Sequence, residues 1–170
     1  KLYEYVLEWA NEFDKEFAEK LIANKDKAVT FFGVDRSGNK PRKDITQWKG
    51  VAKYMDYIFS DVFECEAIEN IAAEDQKAVL AKYATVFDVN HTKDEWFATM
   101  KSICEELGFS PDVKAYKADP SAFKGHVGDI STIIRVALTG RKNTPDLYSI
   151  MAILGTDEIK ARLNKYIETL

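Results

Sequence analysis

An all-α chain of two consecutive helical subdomains is predicted by three features of the sequence. Only 8 Gly and 4 Pro occur among 170 residues, too few for a turn-rich β architecture. Apolar side chains recur at steps of three and four along most of the chain, the period of a helix with one buried face. Helix start and stop signals fall at the ends of those runs, above all Thr92-Lys-Asp-Glu95 before one run and Gly108 after it. A threonine and a glutamate at that spacing can each satisfy a backbone N–H that the first helical turn leaves unpaired. Glycine past the last turn tolerates the left-handed backbone that closes a helix.

In order along the chain, Leu2, Val6, Trp9, Phe13, Phe17 and Leu21 predict one helical face over residues 1–23. Ala28, Phe31 and Phe32 predict a short second helix. Gly33 to Asp44 is rich in turn formers and net basic, and is predicted as loop. Helix is expected again over 46–63, where Trp48, Val51, Ala52, Met55, Ile58, Phe59 and Phe63 repeat at helical spacing. From Asp56 to Asp75 there are seven acidic residues and no basic one. This charge shift places the subdomain boundary near residue 66, giving 1–66 and 67–170. Helices are expected at 71–88, 93–107 and 130–138, with 109–127 irregular. Thr144-Pro145 is read as an N-cap followed by proline at the first helical position. That helix should end at Gly155, with Thr156 capping a last one that runs to 168.

Several function classes lack their residues. No glycine-rich phosphate loop, GxSxG, HExxH or Cys/His cluster occurs. Neither a catalytic nor a metal-ligating set is therefore expected. His91 and His126 are read as solvated loop side chains, and Cys65 and Cys104 as two reduced thiols of a cytoplasmic protein. No apolar run approaches the roughly 20 residues of a membrane span. The formal charge of −4 argues against indiscriminate coating of nucleic acid, yet leaves room for local basic patches. Lys1 stands where a start methionine would, so the sequence is expected to be a piece of something longer. A binding module is what these features describe.

Two segments differ from helix filler. Lys40-Pro-Arg-Lys-Asp44 sets three cations around a proline just before a predicted helix. Proline limits the freedom Arg42 would lose on binding, and a guanidinium can meet a base edge with paired donors. The alternative is a solvated basic loop. The second segment puts Arg135 inside an apolar run with Ile133, Ile134, Val136 and Leu138. A cation there needs a partner, either an internal oxygen or the electron-rich edge of a ligand, and the residues alone leave both open. Downstream, Arg141, Lys142, Thr144 and a helix start offer cations, a hydroxyl and a positive helix end together, as phosphate contact would use.

These segments resemble the anticodon-binding region of bacterial-type glutamyl-tRNA synthetases. The resemblance lies in Ile134-Arg-Val-Ala-Leu-Thr-Gly140, then Thr144-Pro-Asp-Leu-Tyr148, then Ile150-Met-Ala-Ile-Leu-Gly155, in that order. Lys40-Pro-Arg-Lys-Asp44 with Tyr57-Ile-Phe59 resembles the family's first anticodon-binding subdomain. Between them the likeness is mainly one of helical pattern, and 109–129 departs from the commonest form. The family's His-x-Gly-His and Lys-x-Ser-Lys type catalytic motifs are absent.

The resemblance implies a non-catalytic region that grips the anticodon loop of glutamate tRNA. The parent enzyme would attach glutamate to tRNA with ATP and Mg²⁺, and this chain would need no cofactor. Arg135, Thr144 and Leu147 fall where the family contacts the first two anticodon bases, with Pro145 between them. Arg42 falls where members that separate glutamate from glutamine tRNA carry an arginine facing the third base. Lys40, Lys43, Arg141 and Lys142 are the candidate phosphate contacts. The expected partners are tRNA and the parent's catalytic domain, in a cytoplasmic monomer. The rival readings are a helical protein–protein adaptor without an RNA ligand, and a small helical enzyme or ligand sensor, for which no convergent polar residues are found.

Overall fold

The structure is a computed structural model that describes residues 1–170. It contains eleven α-helices and no β-strand, in agreement with the predicted class. The chain divides into two compact units, Lys1–Phe63 and Glu64–Leu170. Glu66, expected to end the first half, is bound into the second unit. Its N–H donates to the Gly140 carbonyl at 2.8 Å, and its carboxylate accepts the Lys142 N–H.

The first unit begins with α1 (Leu2–Phe13), α2 (Lys15–Ala23) and α3 (Lys25–Gly33). The single helix expected over 1–23 is two. Asp14 leaves helical geometry at φ −151°, and its side chain accepts the Phe17 N–H at 3.1 Å, starting α2 as a cap. The break also shifts the buried face. In α1 the buried residues are Tyr3, Val6 and Ala10, while Phe13 is 64% exposed. α1 packs on α2 and α3, and the Tyr3 hydroxyl donates to the Leu21 carbonyl at 3.1 Å.

The helix expected over 46–63 is also broken up. A 3₁₀ turn at Trp48–Gly50 leads into α4 (Val51–Tyr54) and α5 (Asp56–Phe59). Met55, fully buried, departs from helix between them at φ −120°. This stretch is rich in β-branched and aromatic residues, which favour a continuous helix little. Packing on α3 decides its path instead: Phe31 meets Tyr54 and Tyr57 at ring-centroid distances of 5.6 and 5.9 Å. Beyond it Val62 is 80% exposed, so the apolar repeat does not reach Phe63 as helix.

In the second unit α6 (Ala73–Val86), α7 (Lys93–Leu107), α9 (Val127–Thr139) and α11 (Thr156–Thr169) pack on one another, and α10 (Leu147–Leu154) packs on α11. Thr92 and Glu95 form the expected capping box, and Gly108 ends α7 at φ +82°. The core holds Val79, Leu80, Tyr83, Met100, Ile130, Ile133, Ile134 and Leu163. Tyr83 is its polar centre: its hydroxyl accepts from the Trp96 ring N–H at 3.0 Å and donates to Met151 Sδ at 2.9 Å. Burial pushes its phenol above the ordinary range. The stretch expected to be irregular contains α8 (Val113–Ala118) and a 3₁₀ turn at Pro120–Ala122. It is pinned back by Ser110 N–H to Gly125 O and Val127 N–H to Ser110 O, both 2.9 Å.

His126 is not a solvated side chain. Its Nδ1 accepts the Gly128 N–H at 3.0 Å and the Asp129 carboxylate accepts the His126 N–H at 2.8 Å, a capping box that starts α9 three residues before its predicted onset. Both cysteines are free thiols, Cys65 exposed and Cys104 buried. No helix is long and apolar enough to cross a membrane.

Candidate nucleic-acid interface

In the first unit the basic loop runs from the end of α3 to the 3₁₀ turn at Trp48. Asp44 is its hub. The carboxylate accepts from Arg36 Nη2 at 2.6 Å, from the Tyr54 hydroxyl at 2.5 Å, and from Arg42 Nε. Burial would raise the Asp44 carboxyl, but the hydrogen bonds from Tyr54 and Arg42 and the charge of Arg36 hold it below its ordinary value. The carboxylate therefore stays ionised and keeps its grip on both arginines. The Arg42 N–H adds a bond to the Asp35 carbonyl at 2.7 Å, with Asp35 in the left-handed region at φ +56°. Arg42 is thus held by its backbone and by Nε, and its side chain also hydrogen-bonds the Tyr54 hydroxyl. Two parallel donors on a fixed stem are what paired recognition of a base edge needs. Lys40 and Lys43 flank it, both exposed.

In the second unit α9 and the loop 141–146 make a different arrangement. Arg135 Nη1 donates to the Thr144 hydroxyl, to the Pro145 carbonyl at 2.9 Å and to the Thr144 carbonyl at 3.4 Å. The Thr144 hydroxyl in turn donates to the Pro145 carbonyl at 2.8 Å. Of the two partners left open for Arg135 by its sequence context, the internal oxygens are the ones this nitrogen meets. Gly140 closes α9 at φ +76°. Thr139 bridges the turn, accepting the Arg141 N–H at 3.1 Å. Arg141 is half-buried, and Lys142 and Asn143 are exposed at the tip.

The cap of α10 is Asp146, not Thr144: its carboxylate accepts the Ser149 N–H at 3.0 Å. Pro145 therefore precedes the helix instead of opening it. Burial would raise the Asp146 carboxyl, but Lys93 at 2.9 Å and Ser149 hold it low. Thr144 is 7% exposed, Pro145 is buried, and Leu147 is 1% exposed. The Leu147 side chain is buried at the first turn of α10.

Residues 114–167 match a family model described as an anticodon binding domain. Over 169 residues the chain is 34% identical to a glutamate–tRNA ligase of Acetivibrio thermocellus, covering 98% of this chain and 31% of that protein. A glutamate–tRNA ligase of Clostridium perfringens is 34% identical over 172 residues, and one of Sorangium cellulosum 33% over 170, each over 98% of this chain. The chain belongs to the glutamate–tRNA ligase family. It spans about a third of the length of the relatives it matches, 31% and 30% in the first and last of these.

The anticodon-domain match covers α9, the 141–146 loop and α10, so the Arg135–Thr144–Pro145 cluster lies inside it. Two positioning residues were not singled out from the ligase-like sequence. Arg36 shares Asp44 with Arg42, a pairing across eight positions that no helical or strand spacing signals. Arg162, 3% exposed, donates to the Leu138 carbonyl at 2.6 Å and to Glu158 at 2.8 Å. It satisfies a carbonyl that the end of α9 leaves unpaired. A hint was readable, since Arg162 lies in register with Ile159 and Leu163 on the apolar face of α11. No group of three or more His, Cys, Asp or Glu side chains could hold a metal ion.

Proposed function

We propose that the chain reads the anticodon loop of glutamate tRNA for a glutamate–tRNA ligase whose remaining part attaches glutamate with ATP and Mg²⁺. The carrying observation is the anticodon-domain match over 114–167, within an alignment to glutamate–tRNA ligases that runs through both units. The two units act as two anticodon-binding subdomains of a cytoplasmic monomer, with the ligase's catalytic domain as covalent partner. The chain holds no cofactor and catalyses nothing alone. Sequence-specific RNA recognition works on unstacked loop bases, through donors aimed at their edges and surfaces on which they lie. Arg42 supplies two such donors. Arg135, Thr144 and Pro145 present the second loop, whose backbone and tip meet the first two anticodon bases, with Leu147 anchoring it from the core. Lys40, Lys43, Arg141 and Lys142 meet phosphates. An adaptor reading has no comparable support.

Arg42 is assigned the third anticodon base. Cytosine presents acceptors at O2 and N3 that Nη1 and Nη2 can meet together. Guanine presents N–H groups on its Watson–Crick edge that would oppose them. A paired contact of this kind separates right from wrong base by about 1–3 kcal/mol. Arg42→Gln in the whole ligase should relax the preference for glutamate over glutamine tRNA by that amount, with little change in melting. The check is parallel charging of the two tRNAs. An unchanged preference would leave Arg42 a loop cation held by Asp44.

A further inference from the structure

The strip that follows Arg42 has an unused surface. Residues 44–47 take no regular secondary structure, Gln47 is extended at φ −146° and ψ 137°, and the N–H groups of Ile45, Thr46 and Gln47 find no partner within the chain. Two clefts share this strip. One of about 200 Å³ is lined by Asp44, Ile45, Thr46, Gly50 and Tyr54 among others, and one of about 270 Å³ by Ile45, Thr46, Gln47 and Trp48. Trp48 stands at the start of the 3₁₀ turn, 39% exposed, although its spacing had suggested a buried helix face. Trp96, by contrast, is 4% exposed. From Arg36 to Lys53 there are six cations and one carboxylate, in a chain whose net charge is −4. An exposed indole, backbone donors without partners and a basic run of sequence occur together in this segment.

We propose that Trp48 and the strip 44–47 form a nucleobase seat, taking one unstacked base of a single-stranded RNA loop. The base stacks on the indole, and the free N–H groups meet its edge or the neighbouring phosphate. The charge selects the occupant. The surplus of cations in this run, with Lys40, Lys43 and Lys49 exposed, draws a polyanion, and a flat ring beside it suits a polyanion that carries flat bases. Duplex RNA has its bases already stacked and leaves nothing for Trp48 to hold. The seat rests on the anticodon-loop reading proposed above and adds to it a contact separate from Arg42: Arg42 selects by hydrogen bonding, whereas Trp48 holds any base.

The test measures affinity of the full chain for a stem-loop RNA carrying the glutamate anticodon, and for the same stem with an unrelated anticodon. Trp48→Leu keeps an apolar side chain without a ring, and Trp48→Phe keeps a ring. Stacking on one aromatic predicts a loss of roughly 5- to 150-fold for Trp48→Leu. Trp48→Phe should keep most of the affinity, and the loss should be similar on both RNAs. Melting curves identify a variant that fails to fold, and Trp48→Gln, which also lacks a ring, takes the place of Trp48→Leu if that one does. Wild-type affinity in Trp48→Leu, or an equal loss in Trp48→Phe and Trp48→Leu when both are folded, overturns the seat. Wild-type protein that binds the two RNAs alike overturns the anticodon reading instead. A ring-dependent loss in that case keeps the seat as a sequence-blind platform.

Discussion

Leu147→Ala should lower the unfolding free energy by about 2–5 kcal/mol. The side chain is 1% exposed at the first turn of α10, in a helix that also buries Ile150, Met151 and Leu154. Truncation removes the buried methyl groups from favourable contact and leaves a cavity that packed neighbours fill only in part. The loss should appear in a urea titration as a lower midpoint with an unchanged slope, because the surface exposed on unfolding barely alters. Affinity for the anticodon stem-loop should fall as well, but through the loop that α10 carries. A variant that unfolds like wild type and still loses affinity would return Leu147 to the RNA-facing surface and contradict its place in the core.

Arg135→Ala should destabilise the chain by about 1.5–3 kcal/mol, the range for hydrogen bonds to a charged donor, and should weaken stem-loop binding. Arg135 Nη1 reaches the Thr144 hydroxyl and both the Thr144 and Pro145 carbonyls. Without it the turn between Gly140 and Asp146 loses the post that fixes its backbone. Thr144→Val removes the hydroxyl while nearly preserving volume, so the two substitutions should not add. A double-mutant cycle should give a coupling of about 0.5–3 kcal/mol in the unfolding free energy. An Arg135→Ala chain that melts like wild type and loses only affinity would make Arg135 a direct RNA contact with no role in the loop.

The parts of this fold legible in the sequence were those set by short-range rules. Thr92 with Glu95, and Gly108 after α7, announce a helix from chemistry contained within it. Apolar spacing alone misled where a break kept the step of three or four. Phe13 and Phe17 continue one pattern across Asp14, yet one is 64% exposed and the other 3%. Thr144-Pro145 has the composition of a helix start, but tertiary contact took the Thr144 hydroxyl for Arg135 and left Asp146 to cap. The basic loop was visible as composition, and its order was not. That order depends on Asp44 holding Arg36, Arg42 and Tyr54 at once, a convergence that only folding creates. Leu147 shows the same limit: its burial on α10 comes from packing that the Thr144-Pro-Asp-Leu-Tyr148 motif does not display.

Anticodon reading by this chain is tested most directly by its own discrimination between two stem-loops that differ only at the third anticodon base. With cytosine there, binding should be tighter than with guanine by about 1–3 kcal/mol. Both affinities should fall with salt, at a log–log slope of about −0.7 per phosphate contact. Titrating the wild-type chain against both RNAs at several salt concentrations gives the two quantities together. Equal affinities with the same salt slope would reduce the interaction to phosphate attraction, and would contradict recognition of the glutamate anticodon.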